Sequence, residues 1–86
     1  MLVDVVAVSA LESHRLKLRF EDGMEGEFDV AHATAFSGVF EPLRDPAYFA
    51  QVTVDPELGT VVWPSGADLD PVVLHAAIQG RSVRVA

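Results

Sequence analysis

The stretch Val61-Val62-Trp63-Pro64-Ser65-Gly66-Ala67-Asp68-Leu69-Asp70-Pro71 narrows the possible folds more than any other part of this chain. It reads as the end of a strand, a forced turn and the start of a helix. Pro64 has no N–H and biases Trp63 toward extended backbone, so a β-ladder stops there. Gly66 supplies the left-handed backbone that a tight corner needs. Asp70 has the short acceptor side chain of an N-cap, and Pro71 suits the first helical position, where an N–H has no partner anyway. Asp68 is expected to accept backbone N–H groups in the turn before that helix. The segment predicts a scaffold corner built around the chain's single tryptophan.

The second constraint is a hairpin. Arg15-Leu16-Lys17-Leu18-Arg19-Phe20 alternates, with Leu16, Leu18 and Phe20 on one face. Met24, Gly26, Phe28 and Val30 form the matching face of the next strand. Asp22-Gly23 suggests a two-residue type I′ turn, but that register pairs Phe20 with Glu25 and sets an apolar face against a charged one. A three-residue loop, Glu21-Asp22-Gly23 with Gly23 left-handed in a G1 bulge, pairs Phe20 with Met24 instead. It also sets Arg19 against Glu25, Lys17 against Glu27 and Arg15 against Asp29. Such cross-strand pairs contribute about 0.2–1 kcal/mol each, so parity and charge select the same loop. The basic strip is then a paired, solvated face rather than a phosphate reader.

Around these two units the chain reads in order. Leu2 to Val8 is a valine-rich strand, and Ser9 to Ser13 a polar connection. Val30 to Phe36 loses the alternation, gains alanine and predicts a short helix ended by Ser37-Gly38. Val39 to Leu43 reads as an irregular apolar connection. Asp45-Pro46 repeats the cap-and-proline pattern before one helical turn. Gln51 to Val54 and Thr60 to Trp63 are strands joined by a tight turn at Asp55-Pro56-Glu57-Leu58-Gly59. A last helix runs from Asp70 to Gln79, with Gly80 just past its end. The expected structural turn and cap residues are Gly23, Asp45, Pro46, Gly59, Pro64, Gly66, Asp68, Asp70 and Pro71. The fold class is α+β: an antiparallel sheet of about five strands from an N-terminal strand and two hairpins, with short helices between the hairpins and one C-terminal helix. Residues 1–80 make a single domain; residues 81–86 read equally as a tail or a short strand.

Eighty-six residues hold one modest core, and half of them are hydrophobic, so disorder is not the default. There is no cysteine, which removes disulfides, thiolate metal sites and cysteine nucleophiles and fits a reducing, cytoplasmic compartment. Thirteen acidic against six basic residues give a net charge of −7, which argues against nucleic acid as a direct ligand and for a soluble protein, with a basic partner as one option. No apolar run reaches a membrane span, and Asp4 with no basic flank argues against a signal peptide.

The order Phe20-Glu21-Asp22-Gly23, then Val39-Phe40-Glu41-Pro42-Leu43-Arg44-Asp45-Pro46-Ala47-Tyr48-Phe49, then Gly59-Thr60-Val61-Val62-Trp63 through Pro71 and Leu74, resembles the bacterial Domain of Unknown Function 2442 family over about residues 1–75. The resemblance implies a small α+β domain and brings no catalytic residues. Some relatives carry a helix-turn-helix after this domain, which implies regulation there. Others are free-standing beside a second small protein, which implies a two-protein system such as toxin and antitoxin. This chain has fifteen residues after Pro71 and is expected to lack the DNA-binding extension.

Candidate chemistry is sparse. Asp68 and Asp70, with Asp22 or Asp55, are carboxylates of the type that holds a hard cation, but capping explains them more simply. His14, His32 and His75 lie in separate elements without the i, i+4 spacing of a helical metal site. Pro64-Ser65-Gly66-Ala67 is a turn rather than a nucleophile elbow. No catalytic residue, metal or cofactor is expected. The stronger candidate is apolar: Phe36, Val39, Phe40, Leu43, Tyr48, Phe49 and Trp63 are many large groups for one small core, and any left at the surface offer a protein interface. The expected function is a non-enzymatic interaction or regulatory domain that binds itself or a small, basic neighbouring gene product, by apolar burial or strand addition. If that product is a toxin, this chain is its neutralising partner. A small-molecule sensor with a pocket lined by Trp63, Phe40 and Leu74 is the second reading, and a metal-dependent enzyme using Asp68 or Asp70 the third.

Overall fold

The alternation of Arg15–Phe20 becomes the central strand of the first sheet. The computed structural model describes residues 4–34 and 36–82, the last four of these by backbone alone. In it β1 (Val5–Leu11), β2 (Arg15–Phe20) and β3 (Glu25–Asp29) form an antiparallel sheet in the order β1-β2-β3. Leu16, Leu18 and Phe20 are buried, while Arg15, Lys17 and Arg19 are exposed. The three-residue loop forms as the parity argument requires. Gly23 sits at φ 91°, its N–H donates to Phe20 O at 2.9 Å, and Phe20 N–H donates to Met24 O at 2.8 Å. Arg19, Lys17 and Arg15 lie opposite Glu25, Glu27 and Asp29.

The ion pairs differ in one respect from that register. Arg19 meets Glu25 at 3.8 Å, but Arg15 reaches diagonally to Glu27 at 2.9 Å. Asp29 is engaged elsewhere: its Oδ1 accepts His32 N–H at 3.0 Å and opens α1 (Val30–Thr34). A carboxylate at a helix start finds a backbone donor closer than a long cation across a strand.

β1 runs later than its valine content suggested. Ser9, Ala10 and Leu11 are strand, because their ladder partners Lys17, Leu16 and Arg15 extend that far. The reversal into β2 is a 3₁₀ turn over Glu12–His14, with Ser13 and His14 at φ 61° and 56°. The expected irregular stretch at Val39–Leu43 is also regular, a 3₁₀ helix from Gly38 to Arg44 that buries Leu43. Asp45 then caps α2 (Pro46–Phe49), its Oδ1 accepting Ala47 N–H at 3.0 Å.

β4 (Thr53–Asp55) and β5 (Thr60–Val62) form a second antiparallel pair, so the five strands found among the described residues divide three and two. Asp55 organises the turn between them: its Oδ1 accepts Glu57 N–H at 2.9 Å, and its carbonyl accepts Gly59 N–H at 2.7 Å. The pair is tied to the first sheet where Val5 N–H donates to Gly59 O at 2.9 Å.

Trp63 closes the corner as the opening segment predicts. Gly66 N–H donates to Trp63 O and Trp63 N–H to Ala67 O, each at 2.9 Å, with Gly66 at φ 96°. The indole is buried and its Nε1–H donates to Phe49 O at 2.9 Å, so the largest core side chain leaves no orphan donor. α3 (Pro71–Ser82) follows, with Asp70 Oδ1 accepting Val72 N–H at 2.8 Å. It sets Leu74 and Ile78 into the core and crosses β3 at Gly26, where a Cβ would lie 2.5 Å from Ile78 Cγ2. The expected stop at Gln79 and Gly80 is corrected, because helix continues through Gly80, Arg81 and Ser82. The remaining residues of the 81–86 segment, 83–86, lie outside the described residues.

Candidate protein-interaction groove

The start of α3 carries three apolar residues in a row, Val72, Val73 and Leu74. Consecutive helical side chains fan out by about 100° each, so a single buried face cannot take all three. Leu74 enters the core, and Val72 and Val73 remain 50% and 57% exposed. The 3₁₀ helix presents Val39, exposed at 63%, and it lines the same groove as Val73. Both line an open groove of about 470 Å³ together with Phe28, Phe40, Leu69 and Leu74, and with Ala33, Thr34, Ser37 and Asp70.

Two of the polar groups lining it are already engaged. Thr34 Oγ1 donates to Val30 O at 3.2 Å and accepts Phe36 N–H at 3.1 Å. Asp70 holds the first turn of α3. The groove therefore offers mainly apolar surface flanked by negative charge, a setting that takes up one or two apolar side chains.

The aromatic and apolar candidates fall into three groups. Leu43, Phe49 and Trp63 are buried core residues and present nothing to a partner. Phe36, Phe40 and Tyr48 are half-buried against that core, and only Phe40 of the three lines the groove. Val39 is exposed and lines the groove. The pocket expected to join Trp63, Phe40 and Leu74 contains Phe40 and Leu74 but not the tryptophan, which faces inward toward Phe49. Phe28, Leu69 and Val73 were not singled out from the sequence. The signal for Val73 was the apolar triplet itself; Phe28 reads there only as an inward strand residue.

The carboxylates do not converge. Asp22, Asp29, Asp45, Asp55 and Asp70 each accept a backbone N–H near their own position. No group of three or more potential metal ligands occurs among the described residues. Asp68 is a correction. Its backbone forms a bridge with Val62, while its exposed carboxylate makes no hydrogen bond among the described residues. The remaining assigned positions act as expected: Pro46 and Pro71 occupy the first helical residues, Gly59 is left-handed at φ 70°, and Pro64 lies in the corner turn.

Two of the three histidines pack against aromatic rings. His14 Nε2 lies 3.0 Å from Arg44 O, and its ring stands edge-on to Phe36 and Phe49. His75 Nε2 lies 2.8 Å from Asp22 Oδ2 with Phe20 edge-on beneath it, linking α3 to the β2–β3 turn. The Met24 N–H first, and His75 second, hold the Asp22 carboxyl below its ordinary value. His32 is exposed on α1.

Fold and groove together define a small α+β domain whose open surface feature is apolar. Over residues 5–80 the chain matches the family described as "Protein of unknown function (DUF2442)", and it belongs to that family. No curated protein and no solved structure matches it. Among the described residues no helix is long and apolar enough to cross a membrane.

Proposed function

We propose that this chain is a non-enzymatic protein-interaction domain that takes an apolar segment of a basic partner protein into the groove between α1, the 3₁₀ helix and α3. The observation that carries this reading is the pair of exposed valines, Val39 and Val73, that line one groove with the half-buried Phe28 and Phe40. Exposed apolar groups gathered around one groove are a common mark of an interaction surface. A net charge of −7, with Asp70 lining the groove, favours a partner whose apolar anchor is flanked by Lys or Arg and speeds their encounter. Five aspartates held in turns and caps support a role without catalysis. The narrower reading, regulation by neutralising a toxin encoded next to this chain, rests on the family resemblance alone.

Co-expression with the product of the adjacent gene tests the proposal. Stoichiometric co-elution on size-exclusion chromatography that is lost in Val73→Asp and in Val39→Asp is the expected result. Co-elution unaffected by both variants, or no co-elution with the native chain, contradicts it. The groove also suits a small apolar ligand. A thermal shift from a metabolite panel that both variants abolish, without any co-elution, replaces the partner with a ligand.

A further inference from the structure

Three described residues other than glycine have left-handed backbone: Ser13 at φ 61°, His14 at 56° and Phe36 at 52°. Ser13 and His14 are consecutive in the β1–β2 turn, and Phe36 comes after α1. The three nevertheless meet, because the His14 and Phe36 rings stand edge-on with centroids 4.9 Å apart. Left-handed backbone is uncommon outside glycine and asparagine, and it normally occurs in single residues. Strain that the surrounding fold holds in one place gathers at functional sites more than elsewhere.

What this strained turn positions is the imidazole of His14. The ring also meets Phe49 edge-on at 5.0 Å, and its Nε2 lies 3.0 Å from Arg44 O. A carbonyl only accepts, so Nε2 carries the hydrogen, and in the neutral ring Nδ1 carries the lone pair. Nδ1 has no hydrogen-bond partner among the described residues. No buried side-chain nitrogen or oxygen among them lacks a partner, so Nδ1 reaches the surface. His14 lines a pocket of about 350 Å³ with Leu11, Glu12, Pro46, Phe49 and Ala50. That volume lies at the lower end of small-molecule cavities, roughly 300–1,000 Å³.

No lysine or arginine lines this pocket. Arg15, the nearest cation along the chain, donates through Nε to the Glu12 carbonyl at 3.4 Å and through Nη1 to the Glu27 carboxylate at 2.9 Å. The Glu12 carboxylate therefore has no cation of its own among the described residues. The pocket offers a carboxylate and an imidazole lone pair, both acceptors, beside aliphatic and aromatic carbon. Such a set suits a positively charged donor on a short hydrocarbon body and disfavours an anion. We propose that the pocket between the β1–β2 turn and α2 binds a small organic ammonium ion, its head held by the Glu12 carboxylate and His14 Nδ1 and its hydrocarbon body against Leu11, Pro46 and Ala50. The site shares no lining residue with the valine-lined groove and does not depend on a protein partner there.

Titration of the isotope-labelled full chain with n-butylammonium chloride, followed in amide correlation spectra at constant pH and ionic strength, tests this. Saturable shifts are expected at the amides of residues 10–14 and 47–50, together with a displaced resonance of His14 Nδ1. n-Butanol, which has the same body without the charge, is expected to give no saturable shift. Glu12→Gln is expected to weaken n-butylammonium binding at least about fivefold. Ala50→Leu, at an exposed position, fills the pocket and is expected to abolish binding while circular dichroism stays native. Shifts that do not saturate or that spread over the whole acidic surface overturn the proposal. So does binding that n-butanol matches, or that survives both variants. Val73→Asp, which removes partner binding in the other groove, is expected to leave the titration unchanged, so the two readings fail separately.

Discussion

At Asp70 a carboxylate accepts the Val72 amide, while two residues earlier the Asp68 carboxylate faces water. The same side chain in one short segment therefore has two energetic roles. Asp70→Ala is expected to lose about 1 kcal/mol in urea unfolding, the usual worth of an N-cap. Asp68→Ala is expected to stay within about 0.5 kcal/mol of the native chain, as exposed substitutions do. Asp70 was legible from the sequence because the proline after it marks the helix start. Asp68 was misread because a turn aspartate has several amides in reach, and the β-bridge to Val62 decides which way the residue points. Ser13 was not legible at all. It is exposed at φ 61°, a left-handed position that side chains other than glycine, asparagine and aspartate rarely favour, and nothing local announces it. Ser13→Gly is expected to raise stability by about 0.5–1 kcal/mol, read from the same unfolding midpoint. Asp22 sets a pH dependence. Its folded-state carboxyl lies below the ordinary 3.8, so its contribution is present above that value and is lost as pH falls through the lowered one. The stability gap between the native chain and Asp22→Asn is therefore expected to be widest near neutrality and to close in acid.

Elements were most readable where two independent signals agreed. The β2–β3 register followed from side-chain parity and charge together, and both held in the ladder. The diagonal reach of Arg15 to Glu27 was not readable, because it depends on Asp29 being occupied by α1. β1 and the 3₁₀ helix were misplaced or missed for a related reason. Their limits are set by packing rather than by composition, the ladder to Arg15–Lys17 for the end of β1 and the burial of Leu43 for the helix. The docking of α3 on β3 is another long-range fact, and Gly26 exists in β3 to admit it. Gly26→Ala is expected to drive α3 off the strand, because its Cβ meets Ile78 Cγ2 at 2.5 Å. Ile78→Ala leaves a cavity and is expected to cost about 2–4 kcal/mol. The double variant removes the clashing methyl groups and is expected to be clearly more stable than the two separate losses predict, a coupling measurable as a double-mutant cycle.

On the scale of the whole molecule, the chain combines a closed core with an apolar surface groove lined by two exposed valines. The fold class and the family were both within reach of the sequence, since the tryptophan corner and the hairpin are local. The groove was only half within reach. Phe40, Val39 and Leu74 are legible as apolar groups, but the burial of Trp63 and the exposure of Val73 depend on how α3 docks, which no local signal carries. In the proposed role the acids hold the backbone while the apolar groove meets a partner. Backbone amide hydrogen exchange, followed with and without the co-expressed neighbouring gene product, separates the two. The prediction is slowed exchange concentrated in residues 33–40 and 69–74 on complex formation. Protection centred on the turns that carry Asp22 and Asp55, with the groove unchanged, would contradict it.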